Sequence, residues 1–477
     1  MAKIKQALPA LDKLYTTYAQ ENNIPGYCYA VVVDGNLIHT KCDGYTDVEH
    51  KTPVTQNTAF CIASLTKSFT AMSILKLRDA GKLKLDDPVS MYLPAMQGQR
   101  LTNDSPTITI RDLLTHSSGL PQEDPWSDRK LSDSTEEFLD MVKEGMYFSN
   151  ATGVEFEYSS LSYTILGYIV SKVSDMPYQE YIAQNIWKPL SMTSAAWDFA
   201  DVPAQNLAHA YRWNNDHWIA EPMLHNGVHG SMGGMYVSIK DFSKYVALHQ
   251  DAWPPRNSED NDSPVSRATL RSMHQPHVFA ELNANYKLLD GTNLGYTKMY
   301  GYGLYRIQDT QSKAYVLHPG SLPGYHAHWN MLPDYGVAVI VMGNIKNAPR
   351  FDYNMQALNT LVKEAKLQPR SLPPSDLLHQ RQQALLKLLP DWKDAEKSKI
   401  FAANFFLDND LEQLRQQYGY LFDKLGKSVR VSEITPENQL RGYFILEGEK
   451  SKQKVKFFLT PEYPGLIHEL TITSIDD

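Results

Sequence analysis

The run Cys61-Ile62-Ala63-Ser64-Leu65-Thr66-Lys67-Ser68-Phe69-Thr70, continued by Ala71-Met72-Ser73-Ile74-Leu75-Lys76-Leu77, narrows the folds open to this chain more than any other stretch. Helix formers and apolar residues at three- and four-residue spacing persist until Gly81, which predicts a helix whose first turn begins at Ser64. Ser64 and Lys67 then face the same way, one turn apart. A hydroxyl is a weak nucleophile until a neighbouring base removes its proton, and a partly buried lysine with a lowered pKa can be that base. The amides of a first helical turn have no intrahelical acceptor, so the Ser64 N–H is expected to face the oxygen that turns negative when an acyl group is attacked.

The spacing alone is not selective, because Ser-x-x-Lys recurs at Ser73, Ser127 and Ser451. Ser73 falls in the body of the same helix, where its hydroxyl is expected to bond back to the preceding turn. Ser127 and Ser451 sit in the polar runs Trp126-Ser127-Asp128-Arg129-Lys130 and Lys450-Ser451-Lys452-Gln453-Lys454, which read as solvated loops. Only Ser64 has the setting that the chemistry requires.

At 477 residues the chain exceeds what one core usually organises, and two domains are expected. A net charge of -8, with no stretch that concentrates Lys and Arg, argues against nucleic acid as a partner and favours small or neutral substrates. Three cysteines are too few for a disulfide framework. Cys28 and Cys42 flank the Asp34-Gly35-Asn36 turn and could face each other across a hairpin, but free, buried thiols are the expectation. No apolar run is long enough to span a membrane, and Met1-Ala2-Lys3 leads straight into an amphipathic helix reaching about Gln20. As it stands the chain is expected to be soluble, unsignalled and cytoplasmic; removal of an export signal would make it periplasmic or secreted. Self-association into homo-oligomers is left open.

A hairpin is expected over Ala30-Val31-Val32-Val33 and Leu37-Ile38-His39-Thr40. Thr115-His116-Ser117-Ser118-Gly119-Leu120-Pro121 demands a tight loop. Helices are expected over 136–143, 164–173, 241–248 and 351–365, with Phe156 to Tyr163 as a loop. The Pro-, Asn- and Asp-rich stretch from Trp253 to Val265 reads as an exposed excursion. Strands over 302–306, 314–317, 326–331 and 337–342 form an antiparallel meander. Residues 367–375 then read as a stiff polar linker. Beyond it, helices over 376–389 and 397–418 precede strands over 428–434, 439–447, 454–459 and 467–473, a small α+β domain at 376–477 whose strand pattern resembles the curved-sheet, NTF2-like type.

Three elements line up in order: Ser64-Leu65-Thr66-Lys67, Tyr158-Ser159-Ser160 and His318-Pro319-Gly320-Ser321. The order resembles the serine β-lactamase and penicillin-binding-protein family, in particular its class C and esterase-like branch, with its S-x-x-K, Y-x-N and K-T-G or H-x-G motifs. Leu113-Leu114-Thr115-His116-Ser117-Ser118-Gly119-Leu120, Gly233-Gly234-Met235-Tyr236-Val237-Ser238 and Pro319-Gly320-Ser321-Leu322-Pro323-Gly324-Tyr325 are similar to the same branch. The resemblance covers about residues 10–365. It implies an α/β (α+β) fold: an antiparallel sheet flanked by helices with an all-helical subdomain, forming a hydrolase domain over 1–366. It further implies Ser64 as nucleophile, Lys67 and Tyr158 as the catalytic proton-handling pair, and Ser160, His318, Gly320 and Ser321 on the substrate. The Ser64 and Ser321 amides would form the oxyanion hole, and Gly320 would let a substrate approach the strand edge.

Two departures bear on specificity. Ser160 stands where the family usually has asparagine, so a contact to a substrate amide is lost or made through water. His318 stands where β-lactamases carry lysine, so the fixed positive charge for a β-lactam carboxylate is missing. A serine hydrolase acting on an ester or amide through an acyl-enzyme is therefore expected, with a β-lactamase or D-alanyl-D-alanine carboxypeptidase as the alternative. A non-catalytic sensor of the same fold is the reading from another class. No metal or other cofactor is expected: His225 with His229 and His326 with His328 lack a carboxylate or cysteine at ligand spacing.

Overall fold

Val31-Val32-Val33 and the stretch from Val337 to Met342 are unbroken apolar runs, which an antiparallel sheet carries only where both of its faces are covered. The computed structural model describes every residue except 261–262, 347, 349, 371, 427–428 and 476–477, and of residue 350 the backbone alone. It divides into two compact units, Met1–Pro369 and Arg370–Asp477.

The first unit is built on a nine-stranded antiparallel sheet. After helix α1 (Ala2–Glu21) come β1 (Gly26–Val33), β2 (Asn36–Asp47) and β3 (Thr52–Pro53). The later strands are β4 (Val278–Asn283), β5 (Tyr296–Tyr300), β6 (Tyr305–Asp309), β7 (Ala314–Leu322), β8 (Tyr325–Leu332) and β9 (Val337–Gly343). Their order is β3-β2-β1-β9-β8-β7-β6-β5-β4, so β1 and β9 meet in the interior of the sheet. Every residue of both strands is buried. Alternate side chains divide between two cores: Cys28, Ala30, Val32, Ala338, Ile340 and Met342 face one, while Tyr29, Val31, Val337, Val339 and Val341 face the other.

The second of these cores lies under α1 and the closing helix α7 (Arg350–Glu364), which contribute Leu11, Tyr15, Met355 and Leu358. The first lies under the helical part of the unit: α2 (Thr66–Asp79), the four-residue α3 (Asp124–Ser127), α4 (Ser160–Ser174), the short α5 (Gly230–Gly233) and α6 (Ile239–Asp251). Asp34 and Gly35 both have positive φ, the backbone that a two-residue hairpin turn requires between β1 and β2.

Several expectations need correction. Cys28 and Cys42 are directly opposed in the β1–β2 ladder and joined by a disulfide, so the expectation of free thiols holds only for Cys61. Helix α2 proper starts at Thr66; Ser64 sits in a preceding 3₁₀ turn, Ala63–Leu65. Helix α4 starts at Ser160, not Thr164, because its first amides find side-chain acceptors: Ser162 N donates to Ser159 Oγ, and Leu161 N to Glu123. Ser127 is buried at the end of α3 rather than in a solvated loop. His318-Pro319-Gly320-Ser321 lies within β7 rather than after a strand. Strands β4 and β5 were not expected, since Glu281 and Lys298 interrupt their apolar pattern and pair with each other across the ladder. Among the described residues no helix is long and apolar enough to cross a membrane.

The second unit has helices α8 (Asp376–Leu388) and α9 (Leu411–Asp423) and strands β10 (Arg430–Val431), β11 (Thr435–Asn438), β12 (Arg441–Glu447), β13 (Lys452–Leu459) and β14 (Ile467–Ile475). The sheet order is β10-β12-β13-β14, with β11 also on β12. The expected strand over 428–434 survives as β10, and its first residue lies outside the described residues. The single helix expected over 397–418 is broken, since Asp410 caps a fresh start by accepting from Gln413 N. Here burial alternates along the strands: Phe444, Leu446, Val455 and Phe457 face a core shared with Leu378 and Leu385 of α8 and Leu414 and Tyr418 of α9.

Candidate active site

The segment that delivers Ser64 is strained and enclosed. Ala63 has φ of 50°, a left-handed conformation that costs an alanine about 1 kcal/mol or more. From Thr58 to Leu75 every residue is buried except Ser64. The sharp turn at Ala63 therefore presents one hydroxyl at the surface of an otherwise closed element. The glycine-rich stretch is the clamp that holds it: Ile62 N donates to Met235 O, Thr70 Oγ1 to Ser231 O and Cys61 Sγ to Gly233 O. Strand β7 closes the other side. A Cβ at Gly320 would stand 2.3 Å from Ile62 O and 2.9 Å from Leu65 Cδ1, so glycine is required there for the strand to lie against the Ser64 turn. Packing of β7 on this turn is thus a second demand on Gly320, beside the approach of substrate expected from the resemblance.

Lys67 is 0% exposed, and its Nζ has three oxygens around it: Ser64 Oγ at 3.1 Å, Ser160 Oγ at 3.0 Å and Met232 O at 2.9 Å. Burial brings its pKa down to about 8, against the opposing pull of the Asp124, Glu123 and Asp128 carboxyl groups. The Ser64 side chain pulls the Tyr158 phenol slightly toward its charged form, and the Tyr158 ring centroid is 4.9 Å from Lys67 Nζ. Burial, with Asp124 and Tyr305 adding to it, pushes the Tyr158 phenol well above its ordinary range. Tyr158 is thus a neutral phenol beside a lysine that loses its proton readily.

The substrate-side residues are placed as follows. Ser160, the first residue of α4, donates to Asp124 Oδ1 at 2.9 Å, so its one hydrogen is committed within the protein. His318 is buried beside Tyr158, ring centroids 6.2 Å apart. Its Nδ1 lies 2.7 Å from Pro319 O, which only accepts, so in the neutral ring Nε2 takes the Tyr300 hydroxyl hydrogen at 3.0 Å. Residues 318–322 pair with β8, while the ladder with β6 on the other side reaches only as far as Leu317 among the described residues. The Ser321 hydroxyl is buried without a hydrogen-bond partner among the described residues.

Sequence reasoning missed a second layer. Glu123 accepts from Leu161 N at 2.6 Å and from Ser159 Oγ at 3.2 Å, and burial raises its pKa to about 7. His116, at φ of 58°, accepts the Ser159 amide hydrogen on Nδ1 and is boxed by Tyr158, Tyr163 and Tyr300, with centroids at 4.4, 5.1 and 4.6 Å. Burial first, then Lys67 and His318, hold His116 far below the usual imidazole range, hence neutral. The one available signal was the acidic pair Glu123-Asp124 set before Pro125, a helix-start pattern directly after the tight loop. Separately, a cavity of about 610 Å³ lined by Thr135, Tyr168, Lys172, Met176 and Tyr178 contains none of these groups. Among the described residues no cluster of His, Cys, Asp and Glu is arranged to hold a metal.

A family model described as Beta-lactamase matches residues 11–362. Protein flp of Staphylococcus aureus strain N315 is 27% identical over 360 residues, 75% of this chain and 66% of that protein, so the chain spans just under two thirds of that relative's length. Beta-lactamase-like protein 2 of Dictyostelium discoideum is 29% identical over 274 residues, 55% of this chain and 49% of that protein. In fold, the chain is similar to an octameric penicillin-binding protein homologue from Pyrococcus abyssi, with a TM-score of 0.63 and 21% identity over 98% of this chain and 96% of the other. It is likewise similar in fold to a class C beta-lactamase, with a TM-score of 0.59 and 21% identity over 75% and 96%. The match to the family model, over a sheet and helices of the β-lactamase/transpeptidase type, makes this protein a member of the Beta-lactamase family.

Proposed function

We propose that the protein is a serine hydrolase that cleaves an ester or amide in a small or peptide substrate through an acyl-enzyme on Ser64. The observation that carries the reading is the 3.1 Å approach of Lys67 Nζ to Ser64 Oγ with the amine brought down to about 8 by burial. Lys67 takes the Ser64 proton as Oγ attacks the carbonyl carbon. The oxygen that gains the negative charge is received by the Ser64 and Ser321 amides. Tyr158 gives its phenolic proton to the departing oxygen or nitrogen as that bond breaks, and recovers one from the Lys67 ammonium. Water then cleaves the acyl group by the same proton path in reverse. Lys67 is the first base on this reading, because a phenol held far above 10 is no base near neutral pH.

His318, in the position where a lysine would hold a carboxylate, supports an ester or neutral amide over a β-lactam or a D-alanyl-D-alanine terminus. In this proposal residues 1–366 form the hydrolase domain, 367–375 the linker and 376–477 an accessory domain. The test is intact mass after exposure to a fluorophosphonate, a short-chain nitrophenyl ester, a chromogenic cephalosporin and a D-alanyl-D-alanine peptide. An adduct lost in Ser64→Ala, with turnover of the ester above the cephalosporin, is the expected result. Faster cephalosporin turnover selects the β-lactamase alternative, and no adduct from any reagent selects the non-catalytic sensor.

A further inference from the structure

The hydrolase reading leaves a question of hydrogen bookkeeping at Lys67, and the answer draws in a residue from outside the three motifs. A neutral amine has two N–H donors and one lone pair. Three oxygens surround Nζ, and the lone pair faces Ser64 only if the other two oxygens take both hydrogens. Met232 O, a carbonyl, always accepts. Ser160 Oγ is a rotor that accepts or donates according to where its own hydrogen goes. Here that hydrogen goes to Asp124 Oδ1, 2.9 Å away on a residue 36 positions upstream. The neighbouring carboxyl groups are engaged elsewhere: Glu123 on Leu161 N and Ser159 Oγ, and Asp128 on Lys346 at 3.2 Å.

We propose that Asp124 is a positioning residue that occupies the Ser160 hydroxyl hydrogen, makes Ser160 an obligate acceptor from Lys67, and so directs the Lys67 lone pair onto Ser64. Without it the Ser160 hydroxyl turns its hydrogen to the amine, and the base is capped by the wrong hydroxyl. An asparagine at 160 needs no such partner, since its amide oxygen can only accept from Lys67. The role therefore rests on the hydrolase reading and on this chain's own departure from asparagine.

The test is the second-order rate at which a fluorophosphonate labels Ser64 in the full chain, at about pH 9.5 so that Lys67 is largely neutral in each variant. Asp124→Ala is expected to label about 10- to 100-fold more slowly than the parent. Asp124→Asn, which keeps an oxygen acceptor, stays within about fivefold of the parent. In a Ser160→Asn background the Asp124→Ala change costs less than about threefold. Equal losses from Asp124→Ala in both backgrounds, which is also what a folding defect produces, overturn the proposal. So does an Asp124→Asn loss as large as that of Asp124→Ala, which is what a role for the charge alone produces. Absence of Ser64 labelling in the parent is a different failure: it removes the hydrolase reading first and this role with it.

Discussion

Two polar clusters lie on the same side of the large sheet, and they differ in one respect. Around Lys67, donors and acceptors converge on a hydroxyl that reaches the surface. Around His249 and His274 they run into a dead end. Trp253 Nε1 donates to His274 Nδ1 at 2.9 Å, which leaves His274 Nε2–H to donate to His249 Nδ1 at 2.8 Å, and His249 Nε2 is buried with no hydrogen-bond partner among the described residues. Tyr245 connects the two regions, with its ring 3.9 Å from Phe69 and 4.6 Å from His249 and its hydroxyl on Ser68. Burial depresses the bases in both clusters. Loss of charge is common to the two clusters; an outlet for the proton is what the Lys67 cluster has and the histidine cluster lacks.

The sharpest way to break the comparison is to remove the outlet. Ser64→Ala abolishes labelling, and Lys67→Met lowers it by at least about 10³-fold while leaving the thermal midpoint unlowered, because a buried amine held below its ordinary range favours folding less than a methionine does. The matching change in the closed cluster, His249→Leu, lowers the midpoint and leaves labelling intact. Intact mass and a melting curve read both. Next in size is Tyr158→Phe, expected to slow turnover about 10²- to 10³-fold by removing the proton given to the leaving group. A leaving group that needs no protonation, such as nitrophenolate, narrows that loss.

The pH dependence sharpens the same contrast. Labelling is expected to rise about tenfold per pH unit up to a midpoint near 8, where Lys67 loses its proton, and then to stay flat through pH 10, since Tyr158 titrates well above 10. The closed cluster shows up in stability instead. Both imidazoles have folded pKa values below the unfolded 6.5, so the unfolded chain binds more protons and stability falls as pH drops through 6.5. Each contributes about 1.4 kcal/mol per pH unit below that point. The midpoint measured from pH 7.5 down to 5.5 is expected to fall more gently in His249→Leu than in the parent.

Legibility followed the physics of each element. The pairs of strands β1 and β2, and β7 through β9, carry apolar runs between clear turn residues, and their existence could be read from the chain. Strands β4 and β5 are half-buried and carry Glu281 and Lys298, whose cross-strand pairing is invisible until the fold brings them together. Ser64 and Lys67 were named from spacing, Tyr158 and Ser160 through the family resemblance, and the fold brings all four around the Lys67 amine. Asp124 and His116 could not be named so, because each meets the motif residues through one hydrogen bond from an element distant in sequence, and a carboxylate at a short helix start or a loop histidine looks no different on paper. The Cys28–Cys42 pairing failed for a related reason: two cysteines flanking a turn become opposite only if the hairpin register is right.

The adjacency of β1 and β9 has a consequence for how the molecule is made. Val33 is partnered by Val337, so these two interior strands are separated by roughly 300 residues of chain, and at ribosomal rates of about 5–20 residues per second the earlier one waits roughly 15–60 s for its neighbour. Throughout that interval a ribbon of valines and tyrosines stands without its permanent cover, and a nascent-chain holdase has a defined window in which to shield it.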